Sequence, residues 1–114
     1  MEEIKRGQVI WAENTSAYGR VQNSARPYVV LSNDVCNSVS PVITAIPLTA
    51  SRIKTCLPTH YKFFMNNRWN IALCEQITCL DIQLFGKVVG CLSEHDMLEI
   101  EKRVEIQLGL KGAG

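Results

Sequence analysis

Apolar residues along this chain fall into short runs broken by Gly, Pro, Asn and Asp, and only the C-terminal stretch keeps a sustained helical spacing. Gln8 to Glu13 follows Gly7 and is rich in β-formers, which predicts a first strand. Tyr28-Val29-Val30-Leu31 is a continuous apolar run, the pattern of a strand buried on both faces. Ser32-Asn33-Asp34 breaks it, with Asp34 expected to cap a short helical turn through Asn37. Pro41 restarts an extended segment over Val42 to Leu48, in which Pro47 implies an edge position or a bulge. Leu57 to Phe63 reads as the next strand, Met65 to Asn70 as an Asn-rich turn, and Ile71 to Leu80 as one further strand. In that strand Glu75 and Gln76 point to opposite faces, so one of them is expected to face a site or interface.

After a short connection over Asp81 to Phe85, Lys87 to Leu92 makes the last strand. Ser93 then opens the only long helix, with Asp96 close to a capping-box position and Gly109 as its stop. Met97, Ile100, Val104 and Leu108 share one face and are expected to pack, while Glu94, Glu99, Glu101, Lys102, Arg103 and Glu105 form a solvated face. About six short strands and one long C-terminal helix predict a mainly β, α+β architecture, a small partly open barrel with a helix packed on it. Asn14 to Asn23 and Ala50 to Thr55 are polar loops, and loops as long as the first are often functional. At 114 residues the chain is read as one domain, residues 1–114.

Composition narrows the function classes. Hydrophobic residues make up 46% and charged residues 20%, so disorder is excluded. A formal net charge of +1 means that any polyanion must be met by a local cluster of Lys and Arg. The five cysteines are an odd number without a CxxC pair, which argues against a disulfide framework and a zinc knuckle. Cys74 and Cys79 are expected as small core residues. No apolar run reaches the roughly 18 residues of a membrane span, and the expected compartment is a reducing cytoplasm.

The candidate chemistry lies between Ser24 and Thr49. Arg26 precedes a proline that fixes the backbone, and a strand–turn–strand unit would bring it to Thr49 at one rim of the core. An arginine fork beside a hydroxyl suits a phosphate. His60 titrates near neutrality in the unperturbed state, yet a histidine that begins a strand after Pro-Thr is more often structural. His95, in the first turn of the helix among acids, is expected in solvent.

Several blocks occur in a fixed order: Gly7-Gln8-Val9-Ile10-Trp11, Arg26-Pro27-Tyr28-Val29-Val30-Leu31-Ser32-Asn33-Asp34, Pro47-Leu48-Thr49 and Leu57-Pro58-Thr59-His60. Ala72-Leu73-Cys74-Glu75-Gln76-Ile77, Gly86-Lys87-Val88-Val89-Gly90 and a helix ending Gln107-Leu108-Gly109-Leu110 follow. With this ordered set the chain resembles the MazF/PemK (Kid) family of toxin endoribonucleases over nearly its full length. The resemblance implies an SH3-like, CcdB-type barrel, a homodimer, a cognate antitoxin protein and no cofactor or metal. It also implies cleavage of single-stranded RNA that leaves a 2′,3′-cyclic phosphate and a 5′-hydroxyl.

Carried onto this sequence, the family's catalytic arginine is Arg26 and its catalytic hydroxyl is Thr49. Many members carry Gly-Ser-Glu-Gln in the first loop, where this chain reads Gly19-Arg20-Val21-Gln22, so the acidic position is Val21. Arg20, Gln22, Arg52, Lys54, His60, Asn67 and Gln76 are the expected RNA contacts. Lys62, Arg68 and Lys87 are candidate phosphate contacts, and Asn66 and Trp69 are candidates to read or stack bases. Two rival readings stay open: a CcdB-like toxin that poisons gyrase by contact, and a degenerate member that binds RNA or antitoxin without cleaving.

Overall fold

The computed structural model describes residues 3–14, 25–50 and 57–110. Seven strands and two helices order the described residues: β1 (Gln8–Glu13), β2 (Ala25–Val30), α1 (Asp34–Val39), β3 (Val42–Ala50), β4 (His60–Met65), β5 (Arg68–Leu73), β6 (Thr78–Asp81), β7 (Phe85–Cys91) and α2 (Glu94–Leu108). They form an antiparallel sheet in the order β4-β5-β3-β2-β1-β7, with β6 pairing β3 off that path. The sheet is open and is not closed into a barrel by strand pairing, which agrees with the partly open β architecture and long C-terminal helix expected. At the open side the β4–β5 tip meets β7 through side chains. Asn66 Nδ2 donates to the Val89 carbonyl at 3.0 Å, and Gly90 leaves so little room that a Cβ there would come within 2.9 Å of Met65 Sδ.

Each face of the sheet buries its own apolar cluster. On one face Val9, Val29, Ile46, Leu48 and Phe63 pack against Leu92, Met97, Ile100 and Val104 from α2 and its approach. On the other, Ile10, Ala12, Tyr28, Val30, Ile43 and Leu80 pack with one another. The expected helix stripe is buried at Met97, Ile100 and Val104, but Leu108 is about half exposed at the fraying end. Ser93 caps α2 by accepting from the Asp96 N–H, and Gly109 closes it in the left-handed region at φ 67°.

Several expected elements differ. The second strand starts at Ala25, so Arg26 and Pro27 are strand residues, and α1 is capped by Asn33 rather than Asp34. Asp34 instead accepts the Arg6 N–H at 2.7 Å. The fourth strand begins at His60, three residues late, because Leu57 closes a turn onto the His60 N–H. The single strand expected over Ile71 to Leu80 is broken by a 3-10 turn at Cys74–Gln76, which separates β5 from β6. Cys74 is fully buried as expected, whereas Cys79 is exposed.

The solvated helix face is also partly a tether. Arg6 Nη2 lies 2.7 Å from Glu101, and Arg103 donates to the His60 carbonyl at 3.1 Å while pairing with Glu99 at 3.0 Å. Among the described residues no helix is long and apolar enough to cross a membrane.

Candidate active site

Pro47 shows how the sheet positions Thr49. It lies inside β3, a strand paired along both edges, and itself pairs with Tyr28 of β2, so it is not on an edge strand. Thr44 accepts from the Leu31 N–H at 2.9 Å and donates its own N–H to Ser32 Oγ at 3.0 Å, so even-numbered residues of β3 address β2. By alternation the nitrogen of Pro47 addresses the other edge. That edge is where pairing passes from β6, which ends at Ala45, to β5, which begins at Leu48. The missing donor therefore falls in a gap between two ladders and costs no sheet hydrogen bond.

The same two strands carry Arg26 and Thr49. β2 and β3 pair Val30 with Ala45, Val29 with Ile46 and Tyr28 with Pro47. That pairing ends at Tyr28 and Pro47, and Arg26 and Thr49 lie two residues beyond it on the two strands. Both side chains lie on the face away from α2, since they share it with Tyr28 and Ala45 of the second cluster. Arg26 and Thr49 are each half-buried. On its other edge Arg26 pairs with Ala12, and Thr49 pairs with Ile71. Tyr28, two residues from Arg26, is fully buried. Burial pushes its phenol up, and the Arg26 charge works against that shift.

Of the expected RNA contacts, Arg20, Gln22, Arg52 and Lys54 lie outside the described residues, as does Val21. His60 is held inside the protein: its Nε2 lies 2.9 Å from Glu75 Oε2, and Thr59 Oγ1 donates to Glu75 Oε1 at 3.1 Å. Glu75 thus clamps Thr59 and His60 within the protein. Gln76 is half-buried at the end of the 3-10 turn. Asn67 forms the tight β4–β5 turn with Asn66, at φ 61° and 55°. Two consecutive left-handed residues suit Asn and fit a two-residue hairpin. Trp69 consequently stands on β5, not in a turn. His95 is exposed as expected. A cavity of about 130 Å³ opens beside Pro27, lined by Trp11, Met65, Asn66, Arg68, Asn70 and Val89.

The family model described as "PemK-like, MazF-like toxin of type II toxin-antitoxin system" matches residues 5–108. The chain belongs to the PemK/MazF toxin family. The protein named Endoribonuclease MazF from Staphylococcus epidermidis is 32% identical over 111 residues, 94% of this chain and 92% of that one. Crystalline MazF (Form-I) from Deinococcus radiodurans matches with a TM-score of 0.85 at 20% identity, covering 96% of this chain and 100% of that one. A mycobacterial endoribonuclease solved in complex with its cognate antitoxin matches with a TM-score of 0.78 at 23% identity, covering 94% and 96%. These structural likenesses establish the fold, and the PemK/MazF membership rests on the family model and the Staphylococcus relative. Among the described residues no three His, Cys, Asp or Glu side chains gather as a metal-ligand cluster.

Proposed function

We propose that this chain is the toxin of a type II toxin–antitoxin pair and an endoribonuclease that cuts single-stranded RNA at a phosphate held by Arg26 and Thr49. What supports the site assignment is the β2–β3 pairing, which ends at Tyr28 and Pro47, two residues short of Arg26 and Thr49, and the alternation that gives both side chains the face of Tyr28 and Ala45. Family membership and the Staphylococcus relative support the activity.

In this reading the 2′-hydroxyl of the RNA attacks the adjacent phosphorus and the bond to the 5′-oxygen breaks. The 2′ proton leaves, a proton reaches the departing oxygen, and the products are a 2′,3′-cyclic phosphate and a 5′-hydroxyl. Neither metal nor cofactor enters these steps. Arg26 is always charged and presents two donors to the phosphorane oxygens, where charge grows most in the transition state. Thr49 adds one neutral donor from the next strand. Holding the attacking oxygen in line with the leaving group supplies much of the remaining acceleration.

The chain acts as a single toxin domain, as a homodimer in the cytoplasm, and is neutralised by an antitoxin. The antitoxin follows from the family and from the mycobacterial relative solved with its own. Purified protein incubated with a long single-stranded RNA and a chelator tests the reading. Discrete fragments ending in cyclic phosphate are expected, and Arg26→Ala abolishes them and cellular toxicity while circular dichroism stays unchanged. Intact RNA together with inhibited DNA supercoiling would instead identify a gyrase-poisoning toxin.

A further inference from the structure

The outer face of the β4–β5 hairpin carries a feature that the Arg26–Thr49 pair does not use. Phe64 and Trp69 are directly opposed across the two strands and meet edge to face, with ring centroids 5.3 Å apart. Both are large aromatics left about half exposed, at 55% and 49%. The Lys62 ammonium stands 5.2 Å from the Trp69 ring centroid. The alternate residues Tyr61, Phe63 and Met65 turn inward to the helix-side core, so the outward set is a consequence of strand alternation. The hairpin is also held still: its Asn66–Asn67 turn is tight, and Asn66 is bonded to β7.

Register ties this platform to Thr49. Thr49 pairs with Ile71 and Ile71 pairs with Lys62, so the three residues form one row on one face. Trp69 is two residues farther along β5. With strands roughly 4.8 Å apart and a rise of roughly 3.4 Å per residue, its backbone lies about 8 Å from that of Thr49. The residues on that face of the two strands are His60, Lys62, Phe64, Trp69, Ile71 and Leu73, of which Lys62, Phe64 and Trp69 are exposed, and none is an acid. That leaves Lys62 as the charge on the face, complementary to phosphate.

We infer that Trp69 and Phe64 form a base-stacking platform for single-stranded RNA flanking the scissile phosphate, with Lys62 contacting an adjacent phosphate. The inference rests on the ribonuclease reading above. Aromatic faces accept any base, and the lysine places the backbone, so the platform sets affinity and register more than the chemical step.

The test compares wild type with Trp69→Ala, Trp69→Phe, Phe64→Ala and Lys62→Ala, all exposed positions, on two probes. One is a long unstructured RNA, read by steady-state cleavage. The other is a fluorescent 2′-O-methyl oligonucleotide pool that cannot be cut, read by anisotropy. Trp69→Ala is expected to raise KM and Kd about tenfold with kcat unchanged, and Trp69→Phe to restore most of the loss. Lys62→Ala is expected to reduce the slope of log affinity against log salt by about 0.7. Wild-type KM and Kd in folded Trp69→Ala and Phe64→Ala would overturn the inference, as would loss of self-association as their only defect. If wild type binds the uncut pool through Trp69 but cleaves nothing, the ribonuclease reading fails and the platform stands. If wild type neither binds nor cleaves, both fail.

Discussion

His60 Nε2 lies 2.9 Å from Glu75 Oε2, and this pair joins the start of β4 to the 3-10 turn that separates β5 from β6. The His60 side chain is 7% exposed and Thr59, bonded to the same carboxylate, is buried. A histidine placed this way stitches the fold. Glu75→Ala removes the acceptor of two buried donors at once and is expected to cost about 1–3 kcal/mol of stability. Urea denaturation of Glu75→Ala and His60→Ala checks this, beside RNA cleavage at a temperature where both remain folded. Cleavage per folded molecule is expected to stay within about twofold of wild type. A hundredfold loss in a folded His60 variant would move His60 into the reaction.

Thr49 is expected to act through its hydroxyl alone. Thr49→Ser keeps the donor and should retain most activity, whereas Thr49→Val keeps the β-branched shape and loses the hydrogen bond. The valine variant is expected to fall roughly ten- to a hundredfold in kcat, less than the hundred- to thousandfold typical of a principal oxyanion donor. Arg26→Lys should fall nearly as far as Arg26→Ala, because a lysine keeps the charge but not the fork. Single-turnover cleavage with saturating enzyme separates these effects from binding. Equal rates for Thr49→Val and wild type would remove Thr49 from the site.

Much of the fold around Arg26 and Thr49 was legible in the residues because it depends on strand ends and punctuation. Gly7, Pro41 and Gly109 mark corners, and the β2–β3 unit follows from two apolar runs on either side of Asn33 and Asp34. Hidden was everything decided by tertiary contact. Alternation along Ile71 to Leu80 cannot reveal the 3-10 turn from which the Glu75 carboxylate meets Thr59 and His60. Trp69 looked like part of a turn because the Asn-rich stretch around it is longer than the two residues, Asn66 and Asn67, that actually reverse the chain. Pro47 signalled an edge, and only the change of partner from β6 to β5 explains its central place.

Tyr28 is fully buried, and its Oη has no hydrogen-bond partner among the described residues. A buried polar group in this state costs stability, so Tyr28→Phe, which keeps the ring and deletes the oxygen, is expected to stabilise the protein by about 1 kcal/mol. Thermal denaturation reads the change directly. A destabilised Tyr28→Phe would show that the hydroxyl has a partner in solution.

Tyr61 gives the protein an alkaline limit with a defined sign. Its hydroxyl donates to Asp96 Oδ1 at 2.6 Å, while the Arg103 guanidinium lies 4.7 Å from its ring centroid. Burial first, then donation to Asp96 and the negative charges of Asp96 and Glu99, push the phenol up from 10.0 to about 12 against the opposing Arg103 charge. Between those values the folded protein keeps a proton that the unfolded chain has released. Stability from this group is therefore fully present below pH 10 and is lost as pH rises towards 12. Cys74, whose thiol burial pushes up from 9.0 to about 12, acts in the same direction. Tyr61→Phe leaves Cys74 in place, so the difference between the two proteins isolates the phenol. Urea midpoints measured from neutral pH into that range are expected to fall more steeply for wild type than for Tyr61→Phe, and the gap between them should close as pH rises. Parallel curves would mean that Tyr61 titrates alike in the folded and unfolded chains, and that the Asp96 bond does not hold its proton.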